Sequence, residues 1–244
     1  KADHMGLFDH LTTEGLEESK DIAGGGGYQP LSSDIYSAVI KLAYSNKSRS
    51  SDARSVTFHA DINGNEYRET IWITSGKGVN YYVSKEDGKT RIPLPGFAII
   101  EELCLLATKE PLSAQTTEEK VVKLYNFDEK KEMPTTVPVL TSLIGKEVNL
   151  GILREIVDKV ARDDAGNYVP TGETRTQNVT SKVFHPETNK TVNEYRHDVK
   201  DPEFYTAWIA QNQGKDRNRA KGAPADSNKG ASGSGRPEPA KLFG

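Results

Sequence analysis

The chain has 244 residues, of which 35% are hydrophobic and 27% are charged, and its formal net charge at pH 7 is −3. It is long enough for one substantial domain or two small ones. It contains no run of about 18 apolar residues, so no transmembrane helix is predicted. The single cysteine, Cys104, excludes an internal disulfide framework and fits a reducing compartment, and its apolar sequence neighbours predict a core position.

Positive charge is concentrated in two segments of an acidic protein. Residues 214–244 contain seven Lys or Arg against three Asp or Glu, a local charge of +4, so the remaining residues carry −7. Residues 41–54 contain four basic residues and one acidic residue. Such patches are compatible with nucleic-acid binding without establishing it.

The first part of the chain predicts little fixed structure. We interpret residues 1–27 as a tag remnant before Met5, followed by an N-terminal arm with a short amphipathic helix at 6–23. The glycine run at 24–27 is not followed by the Lys-Ser/Thr pair of a phosphate-binding loop, so a flexible joint is the favoured interpretation.

A series of strands follows the glycine run. The segments DIYSAVIKLAY (34–44), SVTFHADI (55–62) and EYRETIWIT (66–74) are rich in β-branched and aromatic residues. NGN at 63–65 predicts a tight hairpin turn, because Asn-Gly suits type I′ geometry. VNYYVS (79–84) is predicted to be a further strand, with Val79, Tyr81 and Val83 on the core side.

The second half alternates between strand and helix patterns. A helix is predicted at 97–107, a strand at 118–127, a short helix or apolar strand at 136–145, and a long strand at 146–160 with Gly151 at a bend. We expect a turn at 163–168, a loop at 170–182 and a small hairpin at 182–196. A final helix is expected to begin at Pro202, capped by Asp201, with Trp208 in the core.

The order of these elements predicts a mainly β fold with a few helices. We expect an OB-fold-like Greek-key barrel with an N-terminal arm, a C-terminal helix and a disordered tail; the alternative is an α+β sandwich. The barrel would span 28–160, the hairpin and C-terminal helix at 161–213 would pack on it, and 214–244 would form a flexible basic tail.

One strand places a tryptophan on its polar side. Ile71 and Ile73 alternate with Trp72, so the indole shares a face with Arg68 and two threonines. A neighbouring helix or the N-terminal arm covering the ring is the ordinary explanation, and an exposed platform for stacking nucleobases is the functional one. The candidate DNA contacts are Trp72, Tyr82, Arg68, Lys77, Lys85, Arg91, Tyr44, Lys47, Arg49 and Arg54.

The sequence contains no recognisable catalytic or metal-binding motif. Histidines are scattered without metal-ligand spacing, and Cys104 has no histidine near it in the sequence. His59 and Asp61 share a strand face, which is more typical of a solvated surface than of a metal site. We therefore expect a protein that is not an enzyme and that needs no cofactor.

Three segments in order, FHADINGNEYRETIWITSGKGVNYYV, LPGFAIIEELCLLAT and VPVLTSLIGKEVNLGIL, resemble single-stranded DNA-binding proteins of tailed bacteriophages. The resemblance covers about residues 28–210. It implies an OB-fold, single-stranded DNA as partner, a role in replication or recombination, and the cytoplasm of the infected bacterial host as location.

The C-terminal segment departs from that family. Many of its members end in an acidic tail with a terminal aromatic residue, whereas this tail is basic and ends near Leu242 and Phe243. Those two residues are candidates for docking on replication proteins. A different function class, a protein-interaction module such as an OB-like adaptor or a phage inhibitor of a host complex, would bind no nucleic acid. A homo-oligomer formed through free strand edges also fits the sequence.

Overall fold

The computed structural model describes residues 29–126, 129–164 and 168–221. The N-terminal arm at 1–27 and the candidate docking residues Leu242 and Phe243 lie outside the described residues. The strands are β1 (Asp34–Lys47), β2 (Arg54–Ile62), β3 (Asn65–Trp72), β4 (Tyr81–Val83), β5 (Arg91–Pro93), β6 (Thr117–Asn126), β7 (Lys131–Leu140), β8 (Glu147–Arg162), β9 (Tyr168–Phe184) and β10 (Asp216–Asn218). The α-helices are α1 (Pro95–Thr108), α2 (Val192–Arg196) and α3 (Glu203–Asn212).

The protein is mainly β, as predicted, and eight of its strands form one sheet within the described residues. The hydrogen-bonded order is β10-β8-β1-β2-β3, with β9 on the other edge of β8 and the β6–β7 hairpin attached to β1 through β7. All of these pairings are antiparallel except that of β10 with β8. β4 and β5 form a separate two-stranded sheet.

β1 is the strand that joins the two halves of this sheet. Its first half pairs with β8 over residues 34–39, and its second half pairs with β2 over residues 39–47. The register with β2 shifts between Ile40 and Leu42, which places a β-bulge at Lys41. Because one extra residue reverses the alternation, Ala38, Ile40 and Ala43 all lie in the main core.

The β2–β3 hairpin forms where the Asn-Gly signal predicts it. Asn63 and Gly64 both have positive φ, 54° and 79°, which is the geometry of a type I′ turn. The turn fixes the register, so that Ile62 pairs with Asn65 and Val56 with Ile71. The inward side chains Val56, Phe58, Ala60 and Ile62 are all buried, as the alternation predicts.

The sheet does not close into a barrel by backbone pairing among the described strands, so the OB-fold itself is not established. The outer edge of β3 forms no ladder with β9. Instead the Glu69 carboxylate accepts hydrogen bonds from the Thr180 backbone N–H, at 3.0 and 3.2 Å, and from the Tyr67 hydroxyl at 2.8 Å. A side chain therefore joins the two edges where a closed barrel would have a strand pair.

Helix α1 supplies one wall of the main core. Ile100, Leu103, Cys104 and Leu106 are its buried residues, which confirms the predicted helix and the core position of Cys104. Burial raises the pKa of the Cys104 thiol to about 12, so the thiol stays protonated and unreactive. Glu102 of the same helix forms a largely buried ion pair with Lys182 of β9 at 2.6 Å.

Strands β8 and β9 pair in antiparallel fashion along most of their length, which corrects two sequence predictions. The segment 170–182, expected as a loop, belongs to β9, and the expected hairpin at 182–196 is the end of β9, a turn and the short helix α2. The expected boundary at residue 160 falls inside β8, which pairs with β9 up to Arg162. A register shift follows Gly151, in keeping with the bend predicted there.

Helix α3 packs on the outside of these two strands. Trp208 is buried, as predicted, and its ring lies against Gly151, where a Cβ atom would approach the indole within 3.2 Å. The helix begins one residue later than expected, at Glu203, with Pro202 in the capping position. Asp201 contributes only its backbone carbonyl, which accepts from the Glu203 N–H.

The first residues of the predicted flexible tail, 214–221, are part of the described fold, and 222–244 lie outside the described residues. Residues 216–218 form β10 beside β8, and Arg217 and Arg219 approach the buried carboxylate of Glu155 at 3.6 and 3.5 Å. Asp216 pairs with Arg154 at 2.5 Å. The first part of the basic segment is therefore bound to the body, and its cations neutralise an interior charge.

The buried carboxylate of Glu69 predicts a specific pH dependence. Burial raises the pKa of Glu69, although hydrogen bonds from Thr180 and Tyr67 oppose part of the shift. The folded protein therefore binds this proton more readily than the unfolded chain, so the group destabilises the fold at neutral pH and less so as pH falls through the raised pKa. In Glu69→Gln, which cannot titrate, urea unfolding should show less gain in stability on acidification from about pH 7 to about pH 5 than in the parent.

Glu173 provides a control of opposite sign. It is exposed, and its hydrogen bond with Lys159 lowers the pKa of its carboxyl group. The ionised Glu173 therefore stabilises the folded protein at neutral pH, and this stabilisation is lost as pH falls. Glu173→Gln should lack this loss of stability. An identical pH dependence in the parent and in Glu69→Gln would contradict the assignment.

Candidate nucleic-acid interface

The outer face of β1, β2 and β3 is a regular grid of side chains. Registered neighbours on adjacent strands project to the same side of a sheet. The grid has three rows: Leu42, His59 and Arg68; Tyr44, Thr57 and Thr70; Asn46, Ser55 and Trp72. We call these nine residues the outer face. Its centre is polar and small, and Thr57 and Thr70 share a hydrogen bond of 2.8 Å between their hydroxyls.

Trp72 stands at one corner of the outer face and is exposed. Half of its surface, 51%, is accessible to solvent, whereas Ile71 and Ile73 on either side are buried. Its strand neighbour Ser55 is buried, at 2% exposed, so the indole is accessible while the β2 side chain beside it is covered. No element in the described part of the chain covers the indole enough to bury it.

Gly96 packs against the backbone of Trp72. A Cβ atom at Gly96 would lie 2.2 Å from the Trp72 carbonyl oxygen and 2.9 Å from the Ile71 side chain. The first turn of α1 therefore packs directly on the end of β3, at a distance that only glycine permits. This contact fixes the end of the strand and so the position at which the indole leaves the sheet.

Tyr44 lies on the outer face but cannot serve as a stacking ring. It is 1% exposed and packs with Val137 and Val139 of the β6–β7 hairpin. Its hydroxyl instead accepts a hydrogen bond from the Arg68 guanidinium at 3.2 Å. The structure thus corrects the expectation that Tyr44 contacts a base: its observed role is to position an exposed arginine at the edge of the face.

The predicted cations form a rim next to Trp72. The loop between β1 and β2 is joined to the turn at 75–78 by a hydrogen bond from Asp52 N–H to the Gly76 carbonyl, and Arg54 N–H donates to the Thr74 hydroxyl at 2.7 Å. This rim carries the predicted cations Lys47, Arg49, Arg54 and Lys77. Two separate loops are therefore tied together at the corner where the indole is exposed.

The rim is not uniformly available for phosphate. Lys47 pairs with Asp52 at 2.7 Å, and the hydrogen bond and charge of Lys47 lower the pKa of the Asp52 carboxyl group. Arg54 and Lys77 are exposed, and neither forms an ion pair with the residues described. Lys77 is the rim cation left to meet an anion beside Trp72, whereas Arg54 alternates with Ser55 and leaves β2 on the side of the sheet opposite to Trp72.

Tyr82 is exposed but belongs to a different surface from Trp72. It lies in the small β4–β5 sheet, and the expected core positions of Val79 and Val83 are wrong, since both are exposed. Arg91 stacks on the Tyr81 ring at 4.7 Å, and the pairing of Tyr82 with Ile92 places Tyr82 on the opposite side of this hairpin from Arg91. Lys85 lies exposed in the turn that follows β4. The structure does not join these residues to the outer face.

The opposite end of the outer face is acidic. His59 Nδ1 is 2.5 Å from Glu66 Oε1, and Asp61 lies 3.9 Å from the Lys41 ammonium group. Glu66 and Asp61 flank the β2–β3 turn, far along the strands from Trp72. Charge therefore changes sign across the face, from carboxylates at the turn to cations at the rim.

No protein-family model, curated protein or solved structure matches this chain. Across residues 29–126, 129–164 and 168–221, no helix is long and apolar enough to cross a membrane. In the same ranges no group of three or more His, Cys, Asp or Glu side chains could hold a metal ion.

The contact at Gly96 predicts a large effect of a single methyl group. Gly96→Ala places a carbon against the Trp72 carbonyl, and the forced separation of α1 and β3 should lower the free energy of unfolding by about 1–3 kcal/mol. Gly76→Ala is the matched control, because its Cβ would find its nearest atom at 3.8 Å. Urea unfolding that ranks the two variants equally would contradict this packing argument.

Proposed function

We propose that this chain is a sequence-tolerant single-stranded DNA-binding protein and that Trp72 supplies a stacking surface for a base. The observation that carries the proposal is the half-exposed indole at a corner of a polar sheet face, on the same face as the exposed Arg68. An exposed tryptophan costs solubility and contributes little to this fold, whereas every nucleobase offers a ring face that stacks on it irrespective of sequence.

The charges around the outer face support one course for a bound strand. Lys77 lies on the rim that follows β3, and Arg68, four residues before Trp72 on the same face of β3, is held by the Tyr44 hydroxyl. Carboxylates occupy the β2–β3 turn. A phosphate backbone that binds next to the cations would release counterions, which favours binding. The carboxylates at the β2–β3 turn would repel it. The strand should therefore cross the sheet at the Trp72 end.

The other predicted contact residues contribute less directly to the proposed DNA binding. Tyr82 and Lys85 on the β4–β5 hairpin, and Arg91 on its other side, would meet only DNA that extends beyond the outer face. Lys47 and Arg49 belong to the rim but are already engaged by other groups. Tyr44 acts as a support rather than a contact.

The resemblance to phage single-stranded DNA-binding proteins supplies the biological setting of the proposal. The protein would coat transient single strands during phage replication or recombination, in the cytoplasm of the infected host, and would act by binding without catalysis. The three segments that carry the resemblance include β2, β3, α1 and the start of β8. The first of these segments supplies four residues of the outer face, including Trp72 and Arg68, and Lys77 of the rim.

A protein-interaction module that binds no nucleic acid is the alternative. The observation that favours it is the acidic net charge of −3, which repels a polyanion at long range. The alternative predicts that oligothymidylate does not change the fluorescence of the protein.

Trp72→Ala should weaken binding to oligothymidylate by about 1–3 kcal/mol, the free energy of one stacked base. Phe204→Ala is the control, since Phe204 is a similarly exposed aromatic residue on α3 and is not part of the outer face. Isothermal titration with a duplex of equal length tests the preference for single strands. Equal affinities of the parent and Trp72→Ala would remove the stacking assignment.

The two tryptophans allow the contact to be located spectroscopically. Trp72 is exposed and Trp208 is 5% exposed, so oligothymidylate should quench only the Trp72 emission. Quenching should be present in the parent and in Trp208→Phe, and absent in Trp72→Phe. Quenching that survives in Trp72→Phe would place the DNA elsewhere on the protein.

Lys77→Ala tests the rim. If Lys77 contacts one phosphate, the slope of log affinity against log salt concentration should become shallower by about 0.7. Lys123→Ala, which removes an exposed lysine of β6, should leave the slope unchanged. A slope for Lys77→Ala equal to that of the parent would exclude the rim from the phosphate path.

A further inference from the structure

A second surface lies at the other end of α1. There, a cavity of about 510 Å³ opens between the last turn of α1, the turn after β9 and helix α2. Its floor is apolar and consists of Leu105, Leu106 and Val192. These side chains belong to the main core or pack against it, so the floor is rigid. A cavity of this size accommodates one large side chain.

The walls of the cavity carry cations and no carboxylate. Lys109 and Arg196 line it from opposite helices, and neither forms an ion pair within the described part of the chain. Lys109 follows the last residue of α1 and Arg196 is the last residue of α2, so each cation partly compensates the negative end of a helix dipole. The local formal charge is nevertheless positive on a protein whose net charge is negative.

The third side of the cavity is aromatic and has a fixed hydrogen-bond donor. His185 and Tyr195 line it with their rings at 5.5 Å in an edge-to-face arrangement, and the Tyr195 hydroxyl is 2.6 Å from that of Thr188. The His185 Nδ1 atom accepts from the backbone N–H groups of Glu187 and Thr188. In the neutral ring the proton therefore lies on Nε2, which remains a donor.

We propose that this cavity is a docking site for an acidic peptide segment of a partner protein that carries one large apolar side chain. The apolar floor would take the side chain, and Lys109, Arg196 and the His185 N–H would meet carboxylates on either side of it. A ligand that occupies both the apolar floor and the cationic walls must carry a large apolar side chain and carboxylates together. A peptide with only charge, or only an apolar side chain, satisfies half of it.

The docking site is separate from the outer face. Helix α1 has 14 residues and is about 20 Å long, with Gly96 against Trp72 at its start and Lys109 at its end. A peptide and a DNA strand could therefore be bound at once. The two proposals are independent, and each can fail without the other.

The test is fluorescence polarisation with a labelled pentapeptide that has one phenylalanine between two pairs of glutamates. The full chain should bind it, and should bind matched peptides with serine for phenylalanine, or lysine for glutamate, at least tenfold more weakly. Lys109→Glu combined with Arg196→Glu should weaken binding at least tenfold, whereas Lys123→Glu should not. If the double variant does not unfold cooperatively on heating, the binding test uses Arg196→Glu alone.

The outcomes separate this site from the DNA-binding proposal. Trp72→Ala should leave peptide affinity unchanged, and the double variant should bind oligothymidylate within threefold of the Lys123→Glu control. Peptide binding no tighter than that of the serine and lysine peptides overturns the docking site. So does displacement of the peptide by oligothymidylate together with loss of DNA binding in the double variant, which would assign the cavity to nucleic acid.

Discussion

One extra residue in β1 determines which side chains face the core and which face outward. The bulge at Lys41 reverses the alternation between Ile40 and Leu42, so the strand buries Ile40 in the main core and presents Tyr44 to the opposite side. Without it, the same strand could not pair with β8 at its start and with β2 at its end while burying apolar residues along both halves. The bulge therefore sets the geometry of the outer face, because Tyr44 positions Arg68 there.

The functional arrangement follows from the two ends of helix α1, which contact different parts of the fold. Its first turn sits on the β3 backbone at Gly96, which leaves the Trp72 indole outside the contact. Its last turn faces α2 and the turn after β9, where the packing leaves the cavity beside Lys109. One rigid helix thus separates two surfaces of different chemistry, a polar face with an aromatic corner and an apolar cavity with a cationic wall. Each surface carries cations on one side, on a protein whose net charge is −3.

Much of the fold could be predicted because its core strands alternate cleanly. β2, β3 and α1 were each indicated by apolar spacing, and the Asn63–Gly64 turn by its residue types. β9 escaped prediction because both faces of its outer half, at 168–176, are exposed. A strand with both faces exposed shows no alternation of apolar and polar residues from which it could be predicted.

The candidate site could be predicted only in part. The exposure of Trp72 follows from alternation, but the burial of Tyr44 depends on a bulge that no local sequence signal marks. Tyr82 was assigned to a continuous sheet because it follows β3 closely, whereas the chain folds away into a separate hairpin with β5. The cavity at Lys109 escaped notice because its walls come from three segments far apart in sequence.

The attachment of β10 has a consequence for shortened forms of the protein. Arg217 and Arg219 are the cations closest to the Glu155 carboxylate, which is almost fully buried, and Ser33 donates its hydroxyl hydrogen to the Lys215 carbonyl. A chain ended at residue 213 would leave that interior carboxylate without its counter-charges and expose the backbone of β8 along residues 154–156. Residues 214–221 thus belong to the folded body, and the Lys221 backbone N–H donates to the Asp158 carboxylate.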